Sequence, residues 1–67
     1  MNSSEITKLK THCERLGLSD KSGLDQLDVE RLTKELLASN EFGLAAYVKS
    51  LKEPAELEDL IVNTIYG

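Results

Sequence analysis

The sequence predicts an all-α fold in which four short helices form one small bundle. Apolar residues recur at spacings of three and four, and residues that start or stop helices stand between these runs. A third observation concerns residues 42–51, whose apolar side chains cover roughly 260° of a helical circumference. Such a segment must be buried on most sides, so we expect the third helix at the centre. The expected helices span residues 4–16, 28–39, 41–51 and 54–66.

The length of 67 residues predicts a single domain, residues 1–67, of marginal stability. Small domains gain stability from disulfides, a structural metal, regular helix packing or self-association. The single cysteine, Cys13, excludes an internal disulfide, and the single histidine, His12, excludes a Cys/His zinc site. This elimination leaves regular helix packing and self-association.

The formal net charge of −4 limits the partners that the chain is expected to bind. Nucleic-acid backbones and anionic membranes both need clustered lysine and arginine, so we expect neither as a partner. No apolar run approaches the ~20 residues of a membrane span. An unpaired cysteine is typical of reducing compartments, and the expected location is therefore the cytoplasm.

The first helix is expected over residues 4–16, with Ser3 or Ser4 as its N-cap. Its apolar residues fall within one narrow arc, which predicts a helix buried along one side. Gly17 follows as a residue that can take a positive φ, and Leu18 can complete this C-terminal cap by an apolar contact. The expected buried residues are Ile6, Leu9, Cys13 and Leu16.

The second helix is expected to begin with Asp28 as its N-cap. Leu27 and Leu32 then occupy the two positions of a hydrophobic staple. Its expected buried face consists of Val29, Leu32 and Leu36, with Leu37 beside them. Oppositely charged pairs four residues apart stabilise a helix by about 0.2–0.5 kcal/mol each. Two such pairs are expected here, Glu30 with Lys34 and Arg31 with Glu35.

Two short junctions separate the remaining helices. Asn40 either closes the second helix or caps the third, because asparagine tolerates the left-handed conformation and also accepts bonds from backbone amides. Whether these two helices are separate or continuous near Asn40 stays open. Pro54 suits the first position of the fourth helix and keeps Glu53 out of helical geometry. The expected core face of the fourth helix is Leu57, Leu60, Ile61 and Ile65.

No catalytic, metal-binding, phosphate-binding or nucleic-acid motif occurs in the sequence, so we expect neither an enzyme nor a cofactor. His12 and Cys13 are adjacent, but neighbours on a helix point about 100° apart and do not face each other. Cys13 lies on the apolar face of the first helix. We therefore expect a small buried side chain next to a solvated histidine.

The expected function is protein–protein interaction, as a small acidic regulator, adaptor or inhibitor that forms a homodimer. Residues 42–51 carry more apolar surface than three short helices can cover. The expected contact uses apolar surface of the third and fourth helices, where a tyrosine tolerates partial exposure because its tip is polar. The candidate partner-binding residues are Phe42, Leu44, Tyr47, Leu51, Val62 and Tyr66.

Two further interpretations are left open. The acidic start of the fourth helix is either a solvated face that complements the helix dipole or a patch that docks on a basic partner. This acidic patch consists of Glu53, Glu56, Glu58 and Asp59. The alternative function is a helix-turn-helix DNA-binding regulator, whose third helix would offer little besides Lys49 and Ser50 to a base edge. Its dimer would gather the basic residues Lys8, Lys10 and Arg15 on one face.

Overall fold

The computed structural model describes residues 2–67, so Met1 of the predicted single domain lies outside the described residues. Within residues 2–67 there are four α-helices, a closing π-helical segment and no strand, which confirms the predicted all-α fold. The elements are α1 (Ser3–Arg15), α2 (Gln26–Ala38), α3 (Phe42–Lys49), α4 (Pro54–Leu60) and the π-helical segment (Ile61–Ile65). No helix in this range has both the length and the apolar character needed to cross a membrane.

The helix at the centre of the bundle is α2. It packs against α1, α3 and α4, whereas α3 packs extensively against α2 alone among the described elements. The expected central position of the third helix is therefore wrong. α3 has eight residues, and its apolar circumference includes the small side chains of Ala45 and Ala46, which fill little space. The completely buried core residues are Leu9, Cys13, Leu32, Leu36, Val48 and Leu57.

The N-cap of α1 is Asn2, which corrects the expectation of Ser3 or Ser4. Asn2 Oδ1 accepts a bond from the Glu5 N–H at 2.9 Å, and the Asn2 N–H donates to Glu5 Oε1 at 3.2 Å. This reciprocal capping box needs an acidic residue three positions after the cap. Asn2 has one in Glu5, whereas neither serine does.

The N-cap of α2 is Asp25, three residues before the expected Asp28. The Asp28 N–H donates to Asp25 Oδ1 at 3.1 Å, and the Asp25 N–H donates to Asp28 Oδ2 at 3.0 Å. Leu27 is exposed, so the predicted staple is wrong. With the helix starting earlier, the staple positions fall on Leu24, which packs against the core, and the buried Val29.

The ends of α1 and α2 are built alike. Gly17, with a φ of +75°, follows α1, and the Leu18 N–H donates to the Cys13 carbonyl at 2.9 Å. This is the predicted cap, and Leu18 is buried as expected.

Asn40, with a φ of +61°, forms the corresponding C-terminal cap after α2, where the Glu41 N–H donates to the Leu36 carbonyl at 2.8 Å. Asn40 therefore closes α2 rather than capping α3, and the two helices are separate.

α4 begins at Pro54, as predicted, after an extended Glu53. The predicted continuous helix over residues 54–66 changes type part-way: the α-helix ends at Leu60 and the π-helical segment follows. The Tyr66 N–H donates to the Ile61 carbonyl, five residues back, at 3.0 Å. The predicted core face is confirmed, since its four residues, Leu57, Leu60, Ile61 and Ile65, are all buried.

Candidate interaction surface

Part of α3 stays uncovered by the rest of the chain, as the sequence predicts. Its Leu44, Ala45 and Val48 are buried, while Phe42 and Tyr47 are exposed. Exposed large apolar side chains also occur on α2 and near the C-terminal end. Within residues 2–67 the exposed set is Leu27, Leu37, Phe42, Tyr47, Val62 and Tyr66.

A groove of about 570 Å³ runs between α2 and α3, and we call it the α2–α3 groove. Leu37 and Phe42 stand at the end where the two helices join, with 47% and 62% of their surface exposed. Smaller or more deeply buried side chains line the rest of its apolar surface, and polar residues form its rim. The other apolar lining residues are Val29, Ala45, Ala46 and Leu51. The rim consists of Gln26, Glu30, Thr33, Lys34 and Lys49.

The sequence produces this groove through the turn at Asn40. A left-handed residue there lets the chain reverse within a few residues, so that α3 returns along α2. Between Phe42 and Lys49, the α3 residues that line the groove are Ala45 and Ala46, whose short side chains leave space between the helices unfilled. Leu37 and Phe42 flank the turn, so both large side chains stand at the same end of the groove.

The charged residues of the groove rim have no ion-pair partner among residues 2–67. None of Glu30, Lys34 and Lys49 lies within 4.0 Å of an opposite charge in that range. The expected pair between Glu30 and Lys34 is therefore absent there, although the two residues are one helical turn apart. The rim thus presents two positive charges and one negative charge to solvent.

The opposite side of α2 carries charges that are paired. Arg15 Nη1 of α1 lies 2.8 Å from Glu35 Oε1 and donates a hydrogen bond to it. Lys8 Nζ lies 3.6 Å from Glu41 Oε1, and His12 Nδ1 lies 3.5 Å from Glu35 Oε1. The predicted partner of Glu35 was Arg31, which lies 3.8 Å from Asp28 instead. We call the contacts of Glu35 with Arg15 and His12 the α1–α2 seam.

At the start of α2, a buried carboxylate ties the preceding loop to the helix. Asp28 is 1% exposed and accepts bonds from Lys21 Nζ at 2.8 and 3.0 Å. These bonds, with the backbone bond from Asp25, hold the pKa of Asp28 below its ordinary value of 3.8. The same contact raises the pKa of Lys21. The pair therefore holds the loop at Lys21 against the start of α2.

His12 and Cys13 do not form a reactive pair. Cys13 is buried, as predicted, and burial raises the pKa of its thiol to about 11, with the neighbouring Glu14 adding to the effect. Such a thiol stays protonated at neutral pH and is a poor nucleophile. His12 is 8% exposed rather than solvated, because α2 covers it, and its Nδ1 has no hydrogen-bond partner among the described residues. No group of metal-ligating side chains occurs within residues 2–67.

The structure brings only part of the predicted partner-binding set together. Phe42 and Leu51 line the α2–α3 groove. Leu44 is 3% exposed and belongs to the core, so it has almost no surface to offer a partner. Tyr47 is exposed but lies about 140° round α3 from Phe42, away from the groove.

Val62 and Tyr66 lie at a different place on the surface. Val62 is exposed on the π-helical segment and does not line the groove. Tyr66 lines a separate polar pocket, and Lys10 Nζ of α1 lies 5.0 Å from the centre of its ring. The other residues that line this pocket are Glu14, Ser19 and Asp20. The exposed surface of the C-terminal segment therefore does not continue the groove.

Leu37 is a large exposed residue of the groove that the predictions from the sequence did not indicate. It was expected beside the buried face of α2, yet nearly half of its surface is exposed. Helix periodicity indicates this exposure, because Leu37 lies about 100° from Leu36 and about 140° from Leu32 around the helix. Leu37 therefore falls outside the arc of the buried residues and is only partly covered.

The acidic patch of α4 is partly occupied within the chain. Glu56 Oε2 accepts bonds from the backbone N–H groups of Lys52 and Glu53, the latter at 3.0 Å. Glu58 Oε1 accepts from the Gly23 N–H at 3.3 Å, which links α4 to the loop before α2. A basic partner for this patch stays a prediction.

The chain has no match among protein-family models, curated proteins or solved structures. Its function must therefore be inferred from its own surface. In the α2–α3 groove, the exposed side chains of Leu37 and Phe42 lie beside charges that have no ion-pair partner within residues 2–67.

Proposed function

We propose that the chain is a small protein–protein interaction module that forms a homodimer through the α2–α3 groove. The observation that carries this proposal is the exposure of Leu37 and Phe42 at one end of an apolar groove. Burial of such side chains is favourable by about 25 cal/mol per Å² of apolar surface. The role is that of a regulator, adaptor or inhibitor, and the single cysteine favours the cytoplasm as its location.

The composition of the groove suits a protein partner. Protein interfaces combine an apolar centre with a polar rim, and large aromatic side chains often act as anchors in their centre. Here the centre is apolar, Phe42 projects from it, and the rim carries both charge signs. This arrangement offers apolar contact and a means of selecting an orientation.

Charge distribution favours a second copy as the partner. Two chains of net charge −4 repel each other least where their surfaces meet through regions that are not acidic. The groove rim has one glutamate and two lysines, and no residue of the acidic patch lines it. Contact through the groove therefore keeps the acidic patches out of the interface.

Association is expected between copies that are already folded. The accessible surface of the chain is 4175 Å². A compact monomer of its 7.4 kDa exposes about 4,200 Å², so the chain closes its own core without help. The proposed dimer is therefore in equilibrium with a stable monomer, and its amount depends on protein concentration.

Sedimentation velocity across a series of concentrations tests this proposal. The wild type is expected to shift from monomer to dimer at high micromolar concentration. Phe42→Glu places a charge in the contact and is expected to keep the protein monomeric. Val62→Glu is the matched control, since Val62 is similarly exposed but lies outside the groove.

Thermal unfolding of both variants checks that each is folded. A wild type that stays monomeric throughout, or two variants that weaken the dimer equally, would contradict the proposal.

The alternative function, DNA binding, stays a prediction. α3 would be the reading helix, and Lys49 is its basic residue. A mobility shift that appears at low salt and disappears at high salt is the result that would support this alternative.

A further inference from the structure

We propose that the two copies pair with their α2 helices antiparallel, so that Glu30 of each copy faces Lys34 of the other. This inference rests on the proposed homodimer and specifies how its copies are arranged. It also accounts for Leu27, the most exposed of the large apolar side chains within residues 2–67, which does not line the groove.

An exposed stripe runs along α2 and is formed by Leu27, Glu30, Lys34 and Leu37. At 100° per residue, these four positions fall within an arc of about 80° on the helix. All four side chains are exposed, so the stripe is a continuous outward face along α2. Its ends are apolar and its middle is charged.

The stripe has the symmetry that an antiparallel pair requires. Leu27 and Leu37 lie five residues before and after Leu32, and therefore at equal distances from it. Glu30 and Lys34 lie two residues before and after the same point. A two-fold axis at the level of Leu32 therefore places leucine opposite leucine and glutamate opposite lysine, twice each.

The charges are available for this arrangement. Glu30 and Lys34 have no ion-pair partner within residues 2–67, although they are one turn apart on the same helix. A parallel arrangement would place like charges opposite each other, which is unfavourable. The antiparallel arrangement instead gives two reciprocal ion pairs, flanked at each end by a leucine pair.

This pairing is compatible with the groove. Leu37 belongs to both the stripe and the groove lining, as do Glu30 and Lys34. When the α2 helices of two copies lie side by side, each can rest between α2 and α3 of the other copy. Phe42, at the end of the groove, then contacts the partner's α2 helix.

Charge reversal with mixing tests the arrangement. Glu30→Lys alone places lysine opposite lysine, and Lys34→Glu alone places glutamate opposite glutamate. Each is expected to weaken self-association by about tenfold, since two pairs change from attraction to repulsion. An equimolar mixture of the two single variants is expected to form a heterodimer, because every facing pair is then opposite in sign.

The double variant Glu30→Lys/Lys34→Glu is expected to restore the homodimer. High salt should reduce all of these differences, because the charges are exposed. Lys52→Glu is the matched control for charge, since Lys52 lies outside both the stripe and the groove lining.

Leu27→Glu provides a readout that does not depend on the ion pairs. It is expected to weaken the dimer as Phe42→Glu does, although Leu27 does not line the groove.

The outcomes of these experiments distinguish failure of the homodimer from failure of the antiparallel arrangement. A monomeric wild type overturns both, because no homodimer exists to be arranged. A dimer that Phe42→Glu dissociates, but whose single charge variants neither weaken it nor prefer each other in the mixture, overturns the antiparallel arrangement alone.

Discussion

The two sides of α2 differ in whether their charged residues form ion pairs within residues 2–67. Toward α1, Glu35 bonds to Arg15 at 2.8 Å, and His12 lies beside it. Toward the α2–α3 groove, Glu30 and Lys34 lie in solvent with no ion pair among residues 2–67. The same helix therefore uses its charges on one side to position a neighbouring helix, and leaves them available on the other. The difference indicates which side serves the fold and which side is free to meet a partner.

The largest difference in stability between the two sides is expected when two adjacent leucines of α2 are each replaced by alanine. Leu36→Ala removes a completely buried side chain and should lower the free energy of unfolding by about 2–5 kcal/mol. Leu37→Ala, one residue further, should lower it by only about 1 kcal/mol, because nearly half of the Leu37 surface is exposed. Urea denaturation measures both. Equal costs would mean that Leu37 belongs to the core and that the groove is not an open surface.

A smaller effect is expected from Asp28, which fixes the start of α2. Asp28→Asn should lower the free energy of unfolding at neutral pH by about 1–2 kcal/mol. This is near the lower end of the range measured for hydrogen bonds to charged groups, because solvent screens the half-exposed Lys21. The pKa of Asp28 is lowered in the folded protein, so its contribution is present above the ordinary pKa of 3.8. It is lost as the pH falls through the folded-state pKa.

The wild-type and Asp28→Asn unfolding curves, measured against pH, should therefore converge in acid. Asp59→Asn, at an exposed position of α4, is the control and should run parallel to the wild type. Curves for Asp28→Asn that stay parallel to the wild type in acid would show that Lys21 does not stabilise the ionised carboxylate.

The smallest difference in the free energy of unfolding is expected between two variants that each remove one charge, one on each side of α2. Arg15→Ala breaks an exposed pair in the α1–α2 seam and should cost about 0.2–1 kcal/mol. Lys34→Ala should leave the free energy of unfolding of the monomer unchanged, because Lys34 has no ion-pair partner within residues 2–67. Chemical denaturation at low protein concentration keeps self-association out of the comparison. If Lys34→Ala lowered the free energy of unfolding more than Arg15→Ala did, the charge on the groove side would be the one that stabilises the fold, contrary to this account.

The sequence predicts the parts of the fold that depend on neighbouring residues alone. Gly17 with Leu18, the start of α4 at Pro54 and the core face of that helix all follow from local patterns and are confirmed. The start of α2 was wrong because Asp25 and Asp28 are both suitable caps. Their actual roles depend on Lys21, which approaches from the preceding loop and binds Asp28.

The features that the sequence did not predict depend on side-chain volume and tertiary contacts. A helical wheel counts Ala45 and Ala46 as apolar but does not show that they leave a groove beside α2. The burial of His12 depends on α2 covering it beside Glu35, which no pattern within α1 reveals. Leu37, in contrast, could have been assigned to the surface from its angle on the wheel.

The most direct test of the central claim, that two copies meet through this side of α2, is a filtered nuclear Overhauser experiment. It uses a mixture of isotope-labelled and unlabelled protein at high micromolar concentration, and detects only contacts between copies. Contacts between the methyl groups of Leu27 in one copy and Leu37 in the other are predicted, together with contacts from the Phe42 ring to α2 of the partner. A dimer whose contacts between copies involve Val62 or Tyr66 instead, or a protein that shows no such contacts and sediments as a monomer, would contradict the claim.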